Sequence, residues 1–268
     1  MKLFDSHCHL DDSVYDKDRD AVIARARQND VAAMMIAGVN RSSVLKGIDL
    51  ARRYPALYAA VGMHPHDAQH CSEDDLKMFA KLAADPKIRA WGEIGLDFNR
   101  MHSPVKDQEY WLLRQLEMAD DLKLPVIFHE RDTEGRLLEI LKAHPHPHRT
   151  GVIHCFSGTR PEMEQYLEMG FHIGITGILT IQKRGKGLRD LVPFIPADRI
   201  LIETDAPYLT PAPQKNKTRR NEPAFVKSVL LRLAEVRSED PETLAARIFQ
   251  NTCSLYHITD ISEEIPHA

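Results

Sequence analysis

What the chain lacks narrows it first. Its four cysteines, Cys8, Cys71, Cys155 and Cys253, are scattered and form no C-x-x-C pair, which argues against a zinc-ribbon module and a disulfide framework. No G-x-G-x-x-G follows the first strand candidate, which lowers a nucleotide-cofactor reading. Positive charge is not in excess. The formal net charge is −4 and the isoelectric point near 6.4, so any polyanion contact must come from local patches. No apolar run approaches the length of a membrane span, and Met1-Lys2-Leu3-Phe4 runs at once into Asp5 without a secretory leader. The expectation is a cytoplasmic chain with no membrane partner and, by default, a monomer.

What is present is a regular alternation of strand and helix patterns. Strands are expected at Leu3–His7, Val31–Ala37, Leu57–Met63, Ile88–Ile94, Pro125–His129, Gly151–Phe156, Phe171–Thr176 and Ile200–Thr204. Helices are expected between them, including Asp16–Gln28, Ser43–Tyr54, Val105–Leu122 and Pro161–Met169, with two more, Pro223–Arg237 and Pro241–Tyr256, closing the chain. Eight such units in 268 residues predict an α/β (β/α)8 TIM barrel, a fold of about 250 residues. Nothing in the composition splits it, so one domain over 1–268 is expected. His144-Pro145-His146-Pro147-His148 reads as an exposed turn rather than a metal tract.

In a barrel the C-terminal strand ends build one mouth, where active sites sit. Asp5-Ser6-His7-Cys8-His9 ends the first strand, with His7 and His9 on one face and Cys8 on the other. One such pair is weak evidence, since polar residues often end a strand. Glu93, His129, His154 and Asp205 close the fourth, fifth, sixth and eighth strands. Burying so many polar groups without a metal or partners is costly. Imidazole and carboxylate without thiolate suit zinc, manganese, iron or magnesium acting as Lewis acids. Six ligands exceed one four-coordinate ion with an open position. Two ions sharing a bridging carboxylate accommodate them, and Glu93 is the expected bridge.

With those residues in hand, the chain resembles the TatD-family metal-dependent deoxyribonucleases of the amidohydrolase-like barrels. The matching stretches run in order through Asp5-Ser6-His7-Cys8-His9, Gly62-Met63-His64-Pro65-His66, Gly92-Glu93-Ile94-Gly95-Leu96-Asp97-Phe98 and His154-Cys155-Phe156-Ser157-Gly158. They continue with Ile173-Gly174-Ile175-Thr176-Gly177, Glu203-Thr204-Asp205-Ala206-Pro207-Tyr208-Leu209 and Arg220-Asn221-Glu222-Pro223. The resemblance implies a metallo-dependent hydrolase barrel in which His7, His9 and Asp205 bind one ion, His129 and His154 a second, and Glu93 joins them. It also implies cleavage of DNA phosphodiesters, as a 3′–5′ exonuclease on single strands, in repair or DNA turnover. Two divalent ions (Mg, Mn or Zn) would activate a hydroxide, with Asp205 accepting the proton.

Local charge supports a nucleic-acid substrate, DNA or RNA. Lys183-Arg184-Gly185-Lys186 follows the seventh strand, and Lys215, Lys217, Arg219 and Arg220 follow the eighth. Arg220 and Asn221 are expected to contact substrate or support the ligands, at the start of a helix from Pro223 whose first N–H groups suit a phosphate, and a plain N-cap explains Asn221 equally well. His64 is expected to contact substrate or a metal ligand, and Glu203 to stand behind the ligands. Tyr208 is expected to pack beside Pro207 rather than to stack on a base. The rival reading is an amide or ester hydrolase, such as a D-aminoacyl-tRNA deacylase. A binding scaffold with a structural metal fits less well, because structural zinc is closed by four ligands.

Overall fold

Short apolar runs rich in β-branched residues, separated by amphipathic segments with polar caps, dictate the architecture. The computed structural model describes residues 1–259 and Ile261. Its strands are β1 (Leu3–Cys8), β2 (Val31–Ile36), β3 (Leu57–Val61), β4 (Ile88–Asp97), β5 (Val126–Arg131), β6 (Gly151–Ile153), β7 (His172–Ile175) and β8 (Ile200–Ile202). They pair in parallel and in sequence order. Closure between the first and last strands is short, a parallel bridge of Cys8 with Ala206. Asp205 N–H donates to His7 O at 3.0 Å and His9 N–H to Ala206 O at 2.7 Å. The seam therefore closes at three of the expected ligands.

The helices are α1 (Arg19–Gln28), α2 (Arg41–Arg53), α3 (Glu73–Leu82), α4 (Val105–Leu122), α5 (Arg136–Ala143), α6 (Arg160–Glu168), α7 (Lys186–Leu191), α8 (Val226–Arg237) and α9 (Pro241–Leu255). Local chemistry sets their starts. Ser72 and Asp75 form a capping box for α3, Thr159 and Glu162 one for α6, and the Asn40 side chain accepts from Ser43 N–H at the head of α2. Their apolar faces, such as Leu112, Leu116 and Ala119 of α4, join the outward-facing strand residues in the outer core. A smaller inner cluster fills the barrel with Phe4, Met35, Tyr58, Ile127, Val152 and Leu201.

Two breaks in strand alternation matter for function. The register of β1 against β2 shifts between Asp5 and Cys8. Phe4 consequently belongs to the inner cluster and Cys8 to the outer one, although both positions are even. The register of β4 against β5 shifts between Gly92 and Ile94. Ala90 lies in the inner cluster while Trp91 and Ile94 lie in the outer one, so the extra residue turns Glu93 inward. Irregularities of this kind re-aim side chains beside active sites. Among the described residues no helix is long and apolar enough to cross a membrane.

Candidate metal centre

The inward turns help to bring five donor residues, His7, His9, His129, His154 and Asp205, around Glu93. Its Oε2 lies 3.3 Å from His7 Nε2 and 3.9 Å from His9 Nε2. Its Oε1 lies 2.6 Å from His129 Nδ1 and 3.8 Å from His154 Nε2. Asp205 Oδ1 stands 3.2 Å from His9 Nε2, 3.8 Å from His7 Nε2 and 3.9 Å from His154 Nε2. The His7 and His154 rings stack with centroids 3.6 Å apart. Glu93 Oε2 thus faces His7 and His9, while Oε1 faces His129 and His154 with His64 also 3.5 Å away, and Asp205 stands on the His9 side.

Surrounding groups decide which nitrogen of each ring faces this centre. His129 Nε2 is 3.1 Å from Asp97 Oδ2, which leaves Nδ1 directed at Glu93. His154 Nδ1 lies 2.9 Å from Glu203 Oε1, an ion-pair contact without hydrogen-bond geometry, and its Nε2 is directed inward. Carboxylates behind metal-facing histidines fix tautomer and orientation in this way. His64 behaves differently. Its Nδ1 accepts the His66 N–H at 3.0 Å, so the proton of the neutral ring sits on Nε2, 3.5 Å from Glu93 Oε1. His64 therefore presents a donor rather than a lone pair.

Burial and mutual charge give the cluster its electrostatics. Burial drives His7 below the usual imidazole range, reinforced by His154, and drives His64 down to about 4, reinforced by His129. At His9 burial is outweighed by the Asp205 carboxylate, which holds the ring up to about 9. At His154 it is outweighed by the charges of Glu203 and Glu93, which hold that ring up to about 10. Burial would raise Glu93, but His7, His64 and His154 hold its carboxyl well below the usual range. The anionic pivot among imidazoles is the electrostatic half of a cation site.

The donor set fits divalent metal. It consists of nitrogen and oxygen only, because Cys8 Sγ turns away to Met35 O and Cys155 Sγ lies against Thr176 Oγ1. His7 is fully buried, yet its Nδ1 has no hydrogen-bond partner. Three groups of His, Asp and Glu have donor atoms close enough to share an ion: His7-His9-Glu93, His7-His154-Asp205 and His64-His66-His129. Among the described residues the His144–His148 tract joins none of them. It forms the largely exposed turn expected of it.

The supporting residues fall less evenly. Glu203 stands directly behind His154, and its Oε1 also accepts the Cys155 N–H at 2.6 Å. Asp97 stands behind two histidines: Oδ2 contacts His66 and His129 while Oδ1 accepts the Asn99 and Arg100 N–H groups. Asp5 was not anticipated. Fully buried, it accepts from Thr204 N–H and Oγ1–H at 2.8 and 2.6 Å, tying β1 to the segment that carries Asp205. The segment after Arg220 departs from expectation. The helix α8 starts at Val226, after a single 3-10 turn. Asn221 caps no helix, because its Nδ2 donates to Thr204 O and Tyr208 O and its Oδ1 accepts from Glu222 N–H. Arg220 is engaged by Asp18 at 2.7 and 2.8 Å and is not turned toward a phosphate. Tyr208 is not packed away either; it is 54% exposed, with its ring 5.8 Å from that of His9.

A closed ring of parallel strands with imidazoles and carboxylates converging at the strand ends defines a metallo-dependent hydrolase barrel. Within that class the particular family is shown by comparison. The family model for TatD related DNase matches residues 4–257, and the chain belongs to that family. The 3′-5′ ssDNA/RNA exonuclease TatD of Salmonella typhimurium is 41% identical over 258 residues, covering 96% of this chain and 99% of that protein. The protein of the same name from Citrobacter rodentium is 42% identical over 259 residues, covering 96% and 98%. Among solved structures, the TatD homologue YJJV of Escherichia coli k12 superposes with a TM-score of 0.87 at 30% identity, covering 96% of this chain and 98% of its own. The TatD family hydrolase of Entamoeba histolytica gives 0.87 at 26% identity, covering 97% and 99%.

Proposed function

We propose that this chain is a metal-dependent nuclease that shortens single-stranded DNA from its 3′ end, accepting RNA by the same chemistry. His7, His9 and Asp205 would hold one divalent ion and His129 and His154 a second, with Glu93 shared between them. The observation that carries the reading is the division of Glu93, one oxygen toward His7 and His9 and the other toward His129 and His154. Relatives 41–42% identical, named 3′-5′ ssDNA/RNA exonuclease TatD, support the substrate and the polarity. They do not favour the rival deacylase.

The chemistry that Mg, Mn or Zn supplies in such a site is Lewis acidity toward a phosphoryl oxygen and toward water. The protein groups do the rest. Asp205, with its side chain 15% exposed, sits where solvent enters and accepts the proton of the attacking water. As the water oxygen bonds to phosphorus, the P–O3′ bond breaks. The 3′ oxygen of the shortened strand takes a proton from solvent, and a nucleoside 5′-monophosphate leaves. The Nε2–H of His64 donates to a non-bridging oxygen, stabilising charge as it develops. Glu203 and Asp97 hold His154 and His129 in the tautomers whose lone pairs face Glu93.

The test is a panel of 5′-labelled DNA, 5′-labelled RNA and aminoacyl-RNA with added Mg2+, Mn2+ or Zn2+. A ladder shortening from the 3′ end, absent in Glu93→Ala, is the expected result. Acyl release without chain shortening would overturn the reading in favour of the deacylase.

A further inference from the structure

The chain is acidic overall, yet the cations around the barrel mouth differ in whether they are paired. At the loop after β1, three cations are engaged and, among the described residues, exposed Lys17 is not. Arg19 and Lys46 pair with Asp16, and Arg220 pairs with Asp18. Next to it, the segments that follow β7 and β8 carry Lys183, Arg184, Lys186, Lys215, Lys217 and Arg219, all exposed. None of these six has an ion pair or a side-chain hydrogen bond among the described residues.

Exposed lysines on mobile loops carry little information, but these two loops are built and joined. Thr180 Oγ1 donates to Gly177 O and accepts the Ala212 N–H at 2.8 Å, stitching the β7 loop to the β8 loop. Gly177 lies so close to the other loop that a Cβ there would be 2.4 Å from Leu209 O. Arg189 of α7 reaches back to Leu179 O and Ile181 O at 2.9 and 3.0 Å, bracing the turn that presents Lys183 and Arg184. Gln214 is tied to Ser228 of α8 at 2.8 Å. The same β8 loop holds Tyr208, exposed and edge-on to His9. Moving inward along these loops, one passes from unpaired cations to an exposed aromatic face to the metal ligands.

We propose that the joined β7 and β8 loops form the track for the body of a single-stranded nucleic acid, with the six cations on its phosphates and the base beside the scissile bond on Tyr208. Phosphate charge and base faces recur in every sequence, so this track grips without reading sequence. It deepens the nuclease reading, on which it rests for where the strand leads, and its binding test stands apart from turnover.

The experiment uses the full chain with divalent metal and fluorescein-labelled (dT)20 whose 3′-terminal linkages are phosphorothioate, read by anisotropy across a salt series. The variants are the triples K183A/R184A/K186A and K215A/K217A/R219A, the single Y208A, and K81A as an exposed control at the far end of α3. Each lost single-strand phosphate contact removes about 0.7 from the slope of log affinity against log salt. Each triple should therefore flatten the slope by about 2 and weaken binding by at least about tenfold at moderate salt. K81A should match the parent. Y208A should weaken binding with an unchanged slope, because stacking releases no counterions. Parent-like affinity and slope in both triples would overturn the track, and so would failure of the parent to bind. Parent-like binding by Y208A would remove the stacking position. Normal binding without cleavage of the unmodified strand would overturn the nuclease reading and leave the track standing.

Discussion

Glu203→Gln tests whether the site is held from behind. Glu203 is fully buried, its Oε1 accepts the Cys155 N–H at 2.6 Å, and the same oxygen lies 2.9 Å from His154 Nδ1. Glutamine keeps the shape but removes the charge. Exchanging one charge-assisted bond for a neutral one costs about 1 kcal/mol. Relief of a buried anion offsets that loss, so the metal-free variant should melt within a few degrees of the parent. Metal affinity should respond far more. The Glu203 charge is the largest influence holding His154 up against burial, and it keeps the Nε2 lone pair aimed inward. Losing a carboxylate behind a metal-binding histidine typically costs about 10–100-fold in affinity, roughly 1.4–2.7 kcal/mol. Isothermal titration with Zn2+ or Mn2+ measures it directly. Gly174→Ala offers an independent perturbation, because a Cβ there would meet the Glu203 carboxylate at 2.7–2.9 Å and displace it without changing charge. If both variants bind metal with parental affinity, Glu203 does not orient His154 and the argument fails.

Metal removal should lower stability as well as activity. An ion present at about a hundred times its dissociation constant contributes roughly 2.7 kcal/mol, or about 5–10 °C in Tm for a chain of this size; calorimetry with and without EDTA, showing no shift, would contradict a bound metal. Asn221→Ala removes three hydrogen bonds, two of them buried, that brace the β8 loop, so the urea midpoint should fall by the equivalent of about 2–4 kcal/mol, and a parental midpoint with altered substrate affinity would restore a contact role. His172, at the start of β7, is pushed down to about 4 by burial and by nearby Arg199. The unfolded chain then binds the proton first, so His172 contributes stability that is present above pH 6.5 and is lost as pH falls toward 4, by about 3 kcal/mol at most; His172→Gln should flatten the stability profile in that window, and an unchanged profile would refute the assignment.

The parts of the fold legible in the sequence are those set by local periodicity and punctuation. The helix Val105–Leu122 lies where its pattern put it, and the strands appear in the expected order. The convergence of the six candidate residues was legible because strand ends in a barrel meet whatever the loops do. Strand length was less so. Strand β6 stops at Ile153 and β8 at Ile202, short of Phe156 and Thr204, because just beyond them Cys155 and Asp205 adopt left-handed backbone with φ near 50° and leave the ladder. The Asn-Glu-Pro sequence after Arg220 has the composition of a helix start. The carbonyls of Thr204 and Tyr208, distant in sequence, claim the Asn221 side chain instead, and one local stretch cannot disclose such a competition. Arg220 misled for a related reason: its partner Asp18 lies 202 residues away in the chain.

Regular alternation alone would have put the site in the wrong place. With Ala90 facing inward, an unbroken β4 would direct Gly92 to the interior and Glu93 into the outer core beside Trp91 and Ile94. The register shift after Gly92 reverses this, and it depends on that glycine. A Cβ at Gly92, where φ is +156°, would lie 2.6 Å from Ile127 Cβ and 2.7 Å from Ile127 O of the neighbouring strand. Gly95, with φ of +149°, is as tightly held against His129 O. Two glycines thus let β4 and β5 approach closely while the chain between them gains one residue. Without that extra residue the carboxylate at the centre of the site would be buried without a cation partner, at a cost of several kcal/mol. The Gly-Glu-Ile-Gly sequence therefore encodes both the bend in the strand and the aim of the side chain on which the proposed chemistry turns.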